Sequence, residues 1–416
     1  MECREFPFAR ERTTSPPSLY LKLRQICPVS KVKLPNGDQA WLLTAHKDIQ
    51  TTLTSGKLSA NPRNSGYPQI RRSNCETAKK QKPTIVTLDD PEHACLRQVL
   101  EPEFTAEAVN RLRLLIHGVV DNALDAIDRQ YVKQEQPFDL MDEFAAPIPT
   151  QVICKIVGVP APDVEWLAQD TSLGTDHPRD AAEDEEQLLM QYVERLDGGN
   201  DGLRVHEGLI SKLVRQQHAT GNLSRDEVVQ LIYIVLTAGN AALLNSIGLG
   251  VLTLFKNEEQ WYKVRRNPLA FAAGLAAECL RYNTTSALDC RRAATDDFVV
   301  SGKTIKKGEG VICAVQSADR DEAAMERPWA FEPDRGYPAE ELLGFGYGAH
   351  RCLGEHLAKA TLEIALGTLF ARFPGLKLHG DMEDVEFTAP TENIGVIKLP
   401  VIVDPNAQLH RIIMPD

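Results

Sequence analysis

Late in the chain, three glycines alternate with aromatic or small residues ahead of a cysteine, in Leu343-Gly344-Phe345-Gly346-Tyr347-Gly348-Ala349-His350-Arg351-Cys352-Leu353-Gly354-Glu355. Glycine allows positive φ and lets a backbone come close to a flat object. The cysteine stands where a helical pattern starts, and there the helix dipole and unpaired amides favour a thiolate. A thiolate backed by close-packed backbone is what an axial haem ligand requires. For Cys352 alone, a buried and inert thiol is the competing reading. Two more groupings carry charge. Glu278 and Arg281 are spaced to share one helix face, a spacing also common in surface ion pairs. His93 and Arg97 share a face of an earlier helix in the same way.

These residues must be positioned by helices and a few short strands. Residues 1–20 are polar and proline-marked and predict an irregular arm. The runs Val29 to Leu34 and Gln39 to Thr44 flank Pro35-Asn36-Gly37-Asp38 and predict a hairpin. Residues 59–82 have no sustained period and predict a long flexible loop, of the kind that forms lids. Asp90 is read as a helix cap with Pro91 in the first helical position, and Thr105 starts another helix. Helices are expected near 144–156, 162–170, 180–195 and 204–217, with the acidic segment 176–186 in solvent. Ser224 with Glu227 forms a capping box that opens a helix from Asp226 to about Phe255. That helix is apolar all round and belongs in a core. A helix at 268–282 carries Glu278 and Arg281, and Cys352 opens one that runs through Leu369. Strands are expected at 298–300, 304–305, 310–314, 376–379 and 396–403. The fold class is mainly α with a small β part, as a single catalytic domain over residues 1–416.

A net charge of −12 argues against general nucleic-acid binding. Nine cysteines without a CxxC pair point to a reducing, cytoplasmic setting. No early apolar run is long enough to cross a bilayer, so no membrane anchor is expected. Oligomeric state is not encoded in any motif.

The spacing Phe345-x-x-Gly348-x-x-x-Cys352-x-Gly354, with His350 and Arg351 inside it, resembles the haem-binding loop of the cytochromes P-450. Glu278-x-x-Arg281 and the arginine of Phe331-Glu-Pro-Asp-Arg335 match the Glu-Arg-Arg triad that scaffolds that loop. The resemblance implies a triangular-prism fold, with haem b between a long central helix and the cysteine-ligand helix. Cys352 is then the axial iron ligand, and Phe345, Gly348 and Gly354 shape the loop. Ala238 and Gly239 lie on the central helix over the haem. His93, Arg97, Arg292 and His350 match propionate-binding positions.

The run Ala238-Gly239-Asn240-Ala241-Ala242 is similar to the fungal nitric oxide reductases of this superfamily. The likeness extends to Phe6-Pro-Phe-Ala-Arg10, Pro83 to His93, Glu101-Pro-Glu-Phe-Thr105, Arg281 to Leu288, Gln316 to Asp321 and Glu355 to Ala360. It implies reduction of nitric oxide to nitrous oxide, with hydride passing directly from NADH, or NADPH, to the ferric-nitrosyl haem and no redox partner. Arg63, Arg71 and Arg291 are candidate anchors for the anionic dinucleotide. On the reaction side the candidates are Asn240, Ala242, Ser286 and Asn393. Ser286 is retained. Ala242 aligns with the family's central-helix threonine, and Asn393 with its C-terminal acidic relay residue. A side chain with no transferable proton cannot act as a general acid. The departure opens a second reading, a diverged fungal biosynthetic P-450 that oxidises or rearranges a small organic substrate. A haem gas sensor or carrier is the reading from another class.

Overall fold

Asn36 and Gly37 do what their types predict. Gly37 takes φ +93° and closes the turn between β2 and β3. In chain order the strands are β1 (Arg4–Glu5), β2 (Val29–Lys33), β3 (Gln39–Leu43), β4 (Leu58–Ser59), β5 (Phe138–Asp139), β6 (Arg291–Ala294), β7 (Phe298–Val300), β8 (Lys303–Ile305), β9 (Gly310–Cys313), β10 (Leu376–Leu378) and β11 (Pro400–Val403). This is a computed structural model, and it describes residues 4–9, 15–70, 83–159, 208–221, 223–285, 290–336, 341–389 and 393–404. Ser286, Arg71 and the expected helices at 162–170 and 180–195 lie outside the described residues, as does the acidic segment.

The largest sheet has the order β1-β2-β3-β9-β6-β4. β2 and β3 are antiparallel, with Val29 opposite Leu43, and β9 runs parallel to β3 with Ile312 opposite Leu42. Residues 1–20 are therefore not a wholly irregular arm. Arg4 and Glu5 pair in parallel with Val32 and Lys33, and Phe6 and Phe8 are buried beside Tyr20. Phe6 and Phe8 also contact each other, with ring centroids 5.3 Å apart; the prolines around them hid that signal.

Helices supply most of the chain. Thr105 caps Ala106–Gln130 by accepting the Ala108 N–H at 3.1 Å. Ser224 and Glu227 form the expected capping box. The central stretch is two helices, Arg225–Ala238 and Asn240–Lys256, meeting at Gly239. Together they are long and apolar enough to cross a bilayer. However, Leu249, Val251, Leu252 and Leu254 have no exposure, as in the core helix of a globular fold. Asp90 does not cap; the helix spans Glu92–Phe104, and the Asp90 carboxylate instead pairs with His93 Nδ1 at 3.1 Å.

The helix that follows Cys352 spans Glu355–Arg372 and packs against both Pro268–Asn283 and Ala106–Gln130. Its crossing with Pro268–Asn283 is tight. A Cβ on Gly367 would stand 2.7 Å from Cβ of Ala272. That crossing brings the helix of Glu278 and Arg281 against the helix behind the cysteine loop.

Candidate functional site

The cysteine loop is built from two short turns. Leu343–Phe345 and Gly348–His350 are 3-10 turns separated by Gly346 (φ +72°), and Gly348 itself has φ +73°. Only glycine takes both conformations without strain. Gly346 N–H donates to Leu343 O at 2.8 Å, Arg351 N–H to Gly348 O at 3.0 Å, and Cys352 N–H to Phe345 O at 2.8 Å. The loop so folds back on itself and presents Cys352.

Side chains then fix it from outside. Arg351 holds Glu355 through Nε at 2.6 Å and Nη2 at 2.9 Å, and Lys359 pairs with the same carboxylate. Lys359 also sits over the Phe345 ring, 5.4 Å from its centroid. Arg97 donates to Arg351 O at 2.8 Å.

Cys352 does not open the helix, which begins at Glu355. The thiol meets a single amide, that of Gly354, instead of a full helix terminus. Cys352 keeps exposed surface although many protein atoms lie near its thiol. Burial pushes that thiol up, against the Gly354 amide and the charges of Arg97 and Arg351, while the Glu355 carboxylate also raises it. A bound metal cation would deprotonate a coordinating thiol outright.

The four predicted bases gather around this loop. His93 and His350 stack with ring centroids 4.0 Å apart. Burial, then the charges of Arg292 and His93, push His350 down to about 4, while Asp89 and Asp90 pull the other way. Arg292 Nη1 donates to the adjacent Arg291 O at 2.7 Å. A buried imidazole beside the positive charges of Arg292 and His93 is a setting for an anion. The donor set fits haem: an accessible thiol in a glycine loop, with cations grouped beside it for two carboxylates.

On the central helix, Ala238 is exposed and Gly239, Ala241 and Ala242 are half-buried, although the helix around them is buried. Gly239 has open space beside it, with only Ile153 Cδ1 at 3.8 Å. Asn240 opens the second of the two central helices. It is 2% exposed and its Nδ2 donates back to Leu236 O at 2.8 Å. Its Oδ1 is buried without a hydrogen-bond partner. It is a core residue of the helix junction.

Thr285, which no motif singled out, links Ala242 to Ile394, the neighbour of Asn393. Thr285 Oγ1 lies 3.5 Å from Ala242 O, and Ile394 N–H donates to Thr285 O at 2.9 Å. Ser246 Oγ donates to the same Ala242 O at 2.7 Å. Asn393 is half-buried and its carbonyl accepts Thr388 Oγ1 at 2.6 Å. The signal for Thr285 was present in the run Asn283-Thr284-Thr285-Ser286, but no spacing rule singles it out.

The candidate dinucleotide anchors are less convergent. Arg63 is exposed. Arg291 is committed to the loop at 60–70: Nη1 donates to Pro68 O at 3.4 Å and the guanidinium sits 5.7 Å from the Tyr67 ring.

The scaffold triad is complete. Arg281 binds Glu278 through two 2.7 Å hydrogen bonds, and Arg335 Nε lies 3.3 Å from the same carboxylate. Glu332 N–H donates to Glu278 Oε1 at 2.7 Å.

A thiol-bearing glycine loop, a buried Glu-Arg-Arg triad and a split central helix define a haem-thiolate protein. A family model described as "Cytochrome P450" matches residues 179–403, and the chain belongs to that family. It is 36% identical over 402 residues to "Cytochrome P450 55A3" of Fusarium lichenicola, covering 95% of this chain and 96% of that protein. It is 33% identical over 401 residues to "Pentalenic acid synthase" of Streptomyces avermitilis, with 95% and 96% covered. Among solved structures, cytochrome P450 MoxA from Nonomuraea recticatena (CYP105) is similar with a TM-score of 0.88 and 32% identity, over 97% of this chain and 99% of that one. GfsF is similar with a TM-score of 0.87 and 30% identity, over 96% and 100%. The fold is the cytochrome P450 fold, and the chain is an oxidoreductase of that family, which implies a haem-thiolate iron cofactor and small-molecule substrates.

Proposed function

We propose that the chain is a haem-thiolate oxidoreductase acting on a small organic molecule, with Cys352 as the axial ligand. Haem iron with a thiolate ligand supplies the redox chemistry. His93, Arg97, Arg292 and His350 hold its propionates, and the Leu343–Cys352 turns hold the thiolate.

One observation carries the choice of substrate class. The hydroxyls beside Ala242, on Thr285 and Ser246, are both turned onto Ala242 O. No carboxylate accompanies them among the described residues of this contact. A substrate carrying its own polar group suits a site whose hydroxyls are already engaged in this way. The names "Pentalenic acid synthase" and "20-oxo-5-O-mycaminosyltylactone 23-monooxygenase" among its relatives point the same way.

NADH-driven nitric oxide reduction is the second reading. The Ala-Gly-Asn-Ala run and its extended likeness favour it. The contacts of Arg291 with Pro68 and Tyr67 weigh against it, because they occupy part of that guanidinium.

One experiment separates the two. The purified haem-loaded protein is titrated with small organic molecules, and separately given nitric oxide with NADH or NADPH and no other protein. The organic reading expects a change in haem absorption with an organic ligand and no nucleotide consumption. Nucleotide oxidation coupled to nitrous oxide, with no organic ligand effective, would overturn it in favour of the second.

A further inference from the structure

Asp319 is fully buried, and no part of the chemistry described so far uses it. Its carboxyl group stands where three segments meet. Oδ1 accepts the N–H of Leu343 at 2.8 Å, at the start of the turn that leads into the cysteine loop. Oδ2 lies 3.2 Å from Thr284 Oγ1, just past the helix of Glu278 and Arg281. Asp319 O accepts Arg281 Nη1 at 3.0 Å. Loop backbone comes directly against the carboxyl, since a Cβ on Gly344 would stand 3.2 Å from Oδ2.

We infer that Asp319 is the positioning residue that sets the cysteine loop on the Glu278–Arg281 scaffold and thereby places Cys352. The inference rests on the haem-thiolate reading of the site. The link is short. Asp319 fixes Leu343 N–H, Leu343–Phe345 is a single tight turn, and Phe345 O accepts Cys352 N–H. The triad itself reaches the loop through this residue, because Arg281 binds the Asp319 carbonyl and the Asp319 side chain binds Leu343. His46 Nε2, 2.9 Å from Glu341 O, tethers the segment just before the turn but touches neither Leu343 nor Phe345. Leu343 is buried, so without Asp319 its N–H has no water to turn to.

Asp319→Ala and Asp319→Asn, expressed with haem, test this. The readouts are haem per chain, the carbonyl absorption of the reduced protein, hydrogen exchange at Leu343 N–H, and thermal unfolding. Asp319→Ala should lose the thiolate-type carbonyl band in part of the population and speed Leu343 exchange by roughly tenfold or more, as expected for a buried donor left unpaired. Asp319→Asn keeps an acceptor for Leu343 and should keep the parent's band and protection. An unchanged band and unchanged Leu343 protection in Asp319→Ala overturn the inference, even if its melting temperature falls. If Asp319→Ala does not fold, Gly344→Ala presses on the same contact from the loop side and should shift the band; a parent-like band there overturns the inference. Cys352→Ala is the control. If it keeps a thiolate-type band, the haem-thiolate reading has failed, independently of Asp319.

Discussion

Arg281 grips Glu278 through both oxygens of its carboxylate, each bond 2.7 Å long, with both side chains sealed from solvent. The guanidinium has no idle edge, for its remaining donors reach the carbonyls of Asp319, Pro328 and Ala330. A pair this buried contributes little net stability as a pair, but breaking it leaves an uncompensated charge. Arg281→Ala should therefore destabilise by about 3–5 kcal/mol. Arg335→Ala should cost less, because Arg335 is 3.3 Å from the carboxylate and nearer the surface. Urea unfolding of the haem-loaded variants checks the ranking; equal losses would mean that the triad is not centred on Arg281.

Cys352→Ala removes the sole thiol of the loop. The variant should lose the thiolate-type carbonyl spectrum while keeping far-ultraviolet circular dichroism, since Cys352 N–H, not its side chain, makes the loop's hydrogen bond. A retained spectrum would place the ligand elsewhere.

Asp319 supplies a pH prediction. Burial raises its carboxyl from 3.8 to about 6, against the Leu343 amide, His46, Thr284 and Arg281. The neutral form is thus favoured in the folded state. The cost of ionising it is absent below pH 3.8, grows through the window up to about 6, and is fully present above. That window is worth on the order of 3 kcal/mol. Asp319→Asn, neutral throughout, should be more stable than the parent at pH 8, and the gap should close as the pH falls toward 4. A constant gap, or a less stable variant at pH 8, would contradict the sign.

Ala242→Thr places a hydroxyl beside those of Thr285 and Ser246. If protons are in short supply there, the share of reductant spent on the organic product should rise toward full coupling. Product yield against reductant consumed measures this. An unchanged ratio would show that the proton already arrives by another route.

Much of this frame is legible from residue types alone. Asn36-Gly37 declares its hairpin because few residues accept φ near +93°. Ser224 and Glu227 declare a helix start because their side chains satisfy each other's amides. Cys352 and its bases were identifiable as a set, and the structure gathers them. The misses share a cause. β6 is four residues long and half of it is Arg291-Arg292, so no alternation marks it as a strand. Asp90 has the type of a cap, but His93 lies within its reach and takes the carboxylate. Asp319 and Thr285 owe their roles to partners brought near only by the fold. Asn240 was singled out by the Ala-Gly-Asn-Ala resemblance, and the fold adds that its Nδ2 is bonded to its own helix at Leu236 O.

The crossing of Gly367 on Ala272 has a consequence for how this protein can vary. Neither residue has room to grow without prying apart the helix of the triad and the helix behind the thiol. In descent, the two positions should behave as one character, staying small together or changing together. Variation on the central helix is less constrained at Ala238, which is exposed, and at Ala241 and Ala242, which are half-buried.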